Sequence, residues 1–289
     1  MIRSRSGQLY DVMVGLEFHV ALRVRSKLLS GSAACAPPSS APNTHVSLFD
    51  AAHPGTLPHL NAAAVEQGLR AALCLHAAIP RLSSFQRKHY FYADLPHGFQ
   101  VTQLDAPLAV GGFLPFRLPL RGGSSGPQRH HPFGVARIAR LQLEVDSGKS
   151  NHTLLPGASA VDLNRAGTAL LEVVTEPDVR GGEEAGALVA AMQAALVHAG
   201  VTEGAMELGQ LRVDVNVSVR RAAPPPPSPP PPPAPPPALH LLQALEGAYA
   251  YGSLRSMAPH TADCAVLPRC EGRGWAWRFA RPEAAVHHH

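Results

Sequence analysis

The stretch LRVDVNVSVR at 211–220 alternates without a break. Leu211, Val213, Val215, Val217 and Val219 fall on one side, with Arg212, Asp214, Asn216, Ser218 and Arg220 on the other. Successive side chains of a strand point to opposite faces, so this rhythm predicts a half-buried β-strand. Two more segments share it. Between Val12 and Val24, Leu16, Phe18, Val20 and Leu22 oppose Glu17, His19 and Arg23. Between Ile138 and Asp146, Leu141, Leu143 and Val145 oppose Arg140, Gln142, Glu144 and Asp146. A sheet with one apolar and one polar face follows, and its polar face carries acids, amides and arginines.

Two helices lie among these strands. Asn61 is placed to cap a helix through Val65, Leu69, Ala72, Leu73 and His76. A second runs from about Glu183 to Ala199, with Leu188, Met192, Ala195 and Leu196 as its buried stripe and Gly200 as its stop. Glu183 and Glu184 suit the positive end of its dipole. Strands outnumber helices and flank them, which predicts an α+β fold on a mainly antiparallel sheet. Gly122 to Pro132 reads as a long hairpin loop, and after Arg221 the pattern stops.

Composition bounds the rest. The chain has 289 residues, a mass of 30.5 kDa and an apolar share of 45%, enough for a real core. Proline is in excess, 29 in all, but twelve of these lie between Pro224 and Pro237, so the excess is local and that run is not packed core. Such a run either docks a Pro-reading groove or serves as a linker. The net charge of +4 is compatible with a nucleic-acid partner and too small to argue for one. Cys35, Cys74, Cys264 and Cys270 form no CxxC pair, so neither a zinc site nor a disulfide framework is expected. No apolar run is long enough to span a membrane. Residues 1–10 read as a flexible terminus or the stub of a targeting peptide.

Three constellations could carry chemistry. Glu17 and His19 project side by side from one strand, roughly 6.5–7 Å apart at the backbone. Such a pair holds a divalent metal, passes a proton, or is merely solvated. Glu144, Asp146 and Glu172 lie on or beside other strands, followed by Gly148-Lys149-Ser150. A P-loop would need glycine at 143, where Leu143 stands, so that reading fails. What remains is a carboxylate group suited to Mg²⁺, or a solvated acidic face. The third is FQRKHYFYADLPHGFQ at 85–100. Arg87 and Lys88 offer phosphate donors, Tyr90, Phe91 and Tyr92 offer faces for an unpaired base, and Asp94, Pro96 and Gly98 supply a turn. Packing against a loop is the alternative account.

These stretches together resemble the B subunit of the aspartyl/glutamyl-tRNA amidotransferases. The matching segments are VGLEFHV at 14–20, SKLLSG at 26–31, PGTLPHLN at 54–61 and SFQRKHYFYADLPHGFQVTQ at 84–103. DSGKS at 146–150, VDLNRAGTALLEVVTEPD at 161–178 and GQLRVDVNVSVR at 209–220 continue the match in family order. The resemblance implies a cradle related to the catalytic domain of glutamine synthetase. It also implies a kinase step on ATP and Mg²⁺, which phosphorylates the glutamyl side chain of Glu-tRNA(Gln). Ammonia from the amidase (A) subunit then displaces the phosphate, the small (C) subunit completes the heterotrimer, and the mitochondrial matrix is the setting. Carried over by position, Glu17, His19 and Glu172 are the metal ligands and, with Glu144, the catalytic set. Arg87, Lys88, Lys149 and Ser150 are placed near ATP, and Tyr90, Tyr92 and Asp94 near the tRNA acceptor end. No zinc is implied, since only Cys35 lies where some relatives carry zinc ligands.

The departures from the family are specific. Val145 stands where many members have a second acid that acts at the metal, and Leu208 and Val215 also differ from the usual residues. On this reading residues 11–221 form an incomplete cradle, 222–239 a Pro-rich linker and 240–289 a divergent, poorly ordered tail. The alternative is a truncated, non-catalytic protein that docks the amidase or readers of Pro-rich motifs.

Overall fold

A computed structural model of the chain describes residues 2–34, 40–118, 133–222, 266–271 and 274–279. The expected loop at 122–132, the polyproline run at 224–237 and Cys35 lie outside the described residues. In chain order the elements begin with β1 (Ile2–Arg3), β2 (Leu9–Ala21), α1 (Ala62–Cys74), β3 (Leu82–Ser84), β4 (Gln86–His89) and β5 (Phe99–Thr102). Then come β6 (Ala109–Val110), β7 (Phe113–Arg117), β8 (Phe133–Val145), β9 (Lys149–Leu155), β10 (Ala158–Asp162) and β11 (Ala169–Thr175). The last are α2 (Gly182–His198), β12 (Leu211–Arg221), β13 (Val266–Glu271) and β14 (Gly274–Phe279). Among the described residues every strand pairing is antiparallel, and two α-helices and one 3-10 turn at Met206–Leu208 accompany the strands, which is the α+β class expected.

The main sheet is built on β2, β11 and β8, three long neighbours, with β12 along the other side of β2. Its apolar face is the core. Leu16, Phe18 and Val20 of β2, Leu141 and Leu143 of β8, and Leu171 and Val173 of β11 join Val65 of α1 and Leu188, Met192 and Leu196 of α2 in one buried cluster. The buried face of α1 is made of small residues, Ala64, Gly68, Ala71 and Ala72 beside Val65. That lets the helix lie close to the sheet: a Cβ on Gly68 would stand 2.5 Å from a Leu108 methyl.

Several expectations shift. Leu73, one of the apolar residues whose spacing marked α1, is 66% exposed. It follows Ala72 by about 100° of helix turn and so looks outward. His76 lies past the end of α1 with φ +55 and stacks on Phe113. Of residues 1–10, expected to be a flexible terminus, residues 2–10 form a hairpin in which Ile2 pairs Tyr10 and Arg3 pairs Leu9. Gly7 at φ +85 and hydrogen bonds to Ser4 from Gln8 and Gly7 make that turn. Two strands, β13 and β14, fall in the stretch expected to be a poorly ordered tail, and β14 pairs with β3. The apolar stripe of β12 is covered only at its start: Leu211 is buried, whereas Val215, Val217 and Val219 are exposed. The polar face of the sheet is not open either, since Gln142, Glu144 and Glu172 are each 3% exposed.

Beyond one end of β2 a buried ion pair ties three loops together. Lys27 Nζ donates to Asp50 Oδ2 at 3.2 Å and to the Leu163 carbonyl at 3.3 Å, and Asp50 also accepts from Ser30 Oγ and the Ser47 N–H. Burial pulls the Lys27 ammonium down from its ordinary pKa against the pull of Asp50. Burial alone would raise Asp50, but the Ser47 N–H, Lys27 and Ser30 outweigh it and hold the carboxyl below its usual range. Removing one member strands the other charge in the interior. Lys27→Met is expected to lower the unfolding free energy by about 3–5 kcal/mol, read from the urea midpoint. Arg70→Met, which breaks the exposed pair with Glu66 on α1, is expected to cost at most about 0.5 kcal/mol. Equal losses in the two variants would refute the buried pair as a fold determinant.

Candidate metal centre

Register decides which side chains meet. His19 on β2 stands opposite Glu172 on β11 and Arg212 on β12, and Glu172 stands opposite Gln142 on β8. One row across four strands therefore reads Gln142, Glu172, His19, Arg212. The row two residues along reads Arg140, Val174, Glu17, Asp214, and the row on the other side holds Glu144, Leu170 and Ala21. All point from the same face. Ligand atoms of Glu17, His19 and Glu172 lie within 4.8 Å of one another.

The electrostatics follow from burial. Glu172 is raised by desolvation first, with Glu144 adding to the effect. Glu17 is pushed up to about 7 by its hydrogen bond to Glu172, by burial and by the Glu172 charge. Two carboxyl groups that share a site hold one proton between them. Gln142 Nε2 donates to Glu172 Oε2 at 2.6 Å and to Glu144 Oε1 at 3.2 Å, which spreads the remaining negative charge. Asp214 Oδ2 lies 3.8 Å from His19 Nδ1.

The donor set fits a divalent cation. It offers two carboxylates and an imidazole, with Glu17 and His19 only partly buried, so water can complete the shell around a hard ion. Beyond Glu17 the face opens into a cavity of about 300 Å³ lined by Gly15, Glu17, Val174, Pro177 and Asn216 among others.

The other end of the face is roofed by the β4–β5 hairpin. Gln100 Nε2 donates to Glu144 Oε2 at 3.3 Å and to the Val145 carbonyl at 2.7 Å, and Tyr90 Oη donates to Gln100 Oε1 at 3.2 Å. Burial first, then Glu144, raises the Tyr90 phenol. A hydrogen-bonded chain thus runs from Tyr90 through Gln100, Glu144 and Gln142 to Glu172. Tyr92 packs edge-on against Tyr90 and is 67% exposed; Phe91 is 85% exposed. The Asp94 carbonyl accepts the Gly148 N–H at 2.8 Å, and a Cβ on Gly148 would stand 2.7 Å from the Asp162 carbonyl oxygen. Glycine in the GKS segment answers to this close approach.

Pairing separates the basic residues of the hairpin. Lys88 is opposite Gln100, on the side turned to Glu144, and its ammonium stands 6.0 Å from the Tyr90 ring centre. Arg87 is opposite Val101 on the other side, over the Phe99 ring at 4.8 Å. Lys149 and Ser150 lie on β9, which pairs with β10, and neither bonds to the carboxylate cluster among the described residues. Val145 is 9% exposed within the core. Of residues 144 and 145, the one β8 turns to the face of Glu172 is therefore Glu144. Arg212, Asp214, Gln142 and Gln100 join the site without having been marked as site residues by any motif. Alternation put the first three on the polar face, but not beside His19 or Glu172.

Residues 12–226 match the family described as the GatB/GatE catalytic domain. Among curated relatives, the chain is similar to the B subunit of the mitochondrial glutamyl-tRNA(Gln) amidotransferase of Phytophthora infestans, 44% identical over 255 positions that cover 76% of this chain and 44% of the relative. It is similar to the chloroplastic/mitochondrial glutamyl-tRNA(Gln) amidotransferase B subunit of Ostreococcus tauri, 47% identical over 251 positions, with 86% and 46% covered. The aspartyl/glutamyl-tRNA(Asn/Gln) amidotransferase B subunit of Caulobacter vibrioides is 46% identical over 221 positions, with 76% and 42% covered. The chain spans less than half the length of these relatives.

Glu17 keeps its proton up to a pH of about 7, so a cation must displace that proton below this pH and need not above it. The rise in melting temperature on adding Mg²⁺ or Mn²⁺ is expected to be larger at pH 8 than at pH 6, and to vanish in Glu17→Gln. A rise of equal size at both pH values, or one retained by the variant, would count against the centre.

Proposed function

Because the chain belongs to the GatB/GatE catalytic domain family, we propose that it is the catalytic portion of the B subunit of a mitochondrial glutamyl-tRNA(Gln) amidotransferase. In this reading the γ-phosphoryl group of ATP passes to the side-chain carboxylate of glutamate esterified to tRNA(Gln). One carboxylate oxygen bonds to phosphorus, the bond to the leaving oxygen breaks, and ADP departs. Ammonia released by the amidase (A) subunit then attacks the activated carbonyl and expels phosphate, giving Gln-tRNA(Gln). The small (C) subunit completes the assembly in the matrix.

The observation that carries the reading is the convergence of Glu17, His19 and Glu172 in adjoining rows of one face. These three would hold Mg²⁺, which supplies charge neutralisation for phosphoryl transfer. Asp214 stands beside His19, and Gln142 bridges Glu172 and Glu144. Glu144, tied to Gln100, couples the centre to the aromatic hairpin. Tyr90 and Tyr92, on a loop braced through Asp94, would stack the unpaired acceptor end, where each base contributes about 1–3 kcal/mol. Lys88 faces the site and suits phosphate, whereas Arg87, Lys149 and Ser150 would reach ATP only from further off. The nucleoside has room in the cavity beyond Glu17. Kinship of the sheet with the catalytic domain of glutamine synthetase, and a cradle over 11–221 followed by a Pro-rich linker at 222–239, belong to the same proposal.

One observation favours a second reading. The exposed valines of β12 suit a non-catalytic protein that docks the amidase.

Activity separates the two. With purified partner subunits, glutamine, ATP and Glu-tRNA(Gln), the chain is expected to form Gln-tRNA(Gln) above the control lacking it. Glu172→Gln is expected to lower turnover at least about 100-fold, whereas Tyr92→Ala should raise KM for the tRNA with kcat little changed. No turnover, beside an active full-length B subunit, would sink the enzyme reading and leave the docking one.

A further inference from the structure

Arg212 is the charged side chain of the inner row that the metal centre leaves without a task. It stands opposite His19, yet its ion pair runs elsewhere: Nη1 lies 3.1 Å from Asp146 Oδ2. Asp146 follows the end of β8, three strand intervals from β12, about 14 Å of backbone at ~4.8 Å each. Two side chains can meet across that span only where the face is concave, and they bridge it beside the row of Ala21 and Leu170. Asp146 is 7% exposed and already served: its Oδ1 accepts the Ser147 N–H at 3.0 Å, and Arg165 Nε lies 3.5 Å from its Oδ2. Arg165 is further fixed by the Ser147 and Gly148 carbonyls. Two guanidinium groups on one carboxylate leave a surplus positive charge. Arg165 has three acceptors, whereas Arg212 is held at one nitrogen, with no other partner among the described residues and its side chain 34% exposed, so donors of its fork remain to offer.

The groove has two unlike ends. Past Glu17 lies the cavity floored by Gly15 and walled by Val174 and Pro177. Past His19 lie Glu144, the Tyr90–Gln100 link and the Arg212–Asp146 bridge. On the function proposed above, a nucleotide takes the first end and the acceptor end of the tRNA enters under the aromatic hairpin at the second. The glutamyl side chain then reaches the metal centre past Arg212. We propose that Arg212 binds the side-chain carboxylate of the esterified glutamate and turns one oxygen towards the phosphoryl donor, with Asp146 as the residue that positions it. The planar fork of a guanidinium matches a carboxylate with two parallel hydrogen bonds, and it screens that anion from the glutamates beside it and from the incoming phosphate. An ammonium at the same place would supply charge without the fork.

The test compares binding of the full chain to tRNA(Gln) carrying amide-linked glutamate and to the same tRNA deacylated. The unchanged chain is expected to prefer the charged form. Arg212→Met should cut that preference about tenfold, with deacylated tRNA bound within about twofold of normal and the Mg²⁺-dependent rise in melting temperature unaltered. Arg212→Lys, which keeps the charge and protects the test if the Met variant fails to fold, should fall between. Asp146→Asn should also weaken the preference. Full preference in a folded Arg212 variant overturns the assignment and leaves the proposed function standing. An unchanged chain that binds neither tRNA overturns both, and the control with deacylated tRNA tells these outcomes apart.

Discussion

The register of β2 between β11 and β12 is the constraint on which the rest depends. Side chains alternate with a period of two, so a slip of one residue would turn Glu17 and His19 into the helix-packed core and bring Leu16, Phe18 and Val20 to the polar face. The core prevents it. Leu16, Phe18 and Val20 are all but fully buried against α1 and α2, and the β11 partner residues Leu171 and Val173 are equally enclosed. The apolar face thus fixes the polar one, and packing of ordinary side chains sets the position of the metal centre.

Crowding several acids on one buried face is costly unless charge is met. Here it is met by three devices. Glu17 and Glu172 share a proton, Gln142 donates to both Glu172 and Glu144, and the roofing hairpin supplies Gln100 to Glu144. Asp146 lies outside this network with two arginines of its own. The result is a face with a proton-sharing centre and a basic flank, so opposite charges are sorted along the groove and not scattered over it.

The three long strands were legible because each carries an uninterrupted alternation, and β2, β8 and β12 lie close to where that alternation put them. Both helices were legible from caps and spacing, although Leu73 and His76 showed that periodicity alone does not mark where a helix leaves the core. The roof over the polar face was not legible. β4 and β5 have four residues each, too few for a period to emerge, and the contact that seats them, Gln100 on Glu144, joins residues far apart in the chain. Lys88 and Arg87 illustrate the same limit: they are adjacent in sequence, yet pairing with β5 sends them to opposite sides. Arg212 and Asp214 could be assigned a face but not a neighbour, because strand order is set by tertiary packing. Position 145 was expected to matter at the metal; alternation had already put it with Leu143, and the core keeps it there.

β12 pairs with β2 along its whole length and has no partner on its other edge among the described residues. Along that strand Val215, Val217 and Val219 stand 56%, 64% and 53% exposed. Unpaired backbone donors beside a row of β-branched side chains make a template onto which a strand of another molecule can add. Arg220 and Arg221 act as gatekeepers only at the far end of the strand. At high concentration and without a cover, this edge is a place where copies of the chain would join strand to strand.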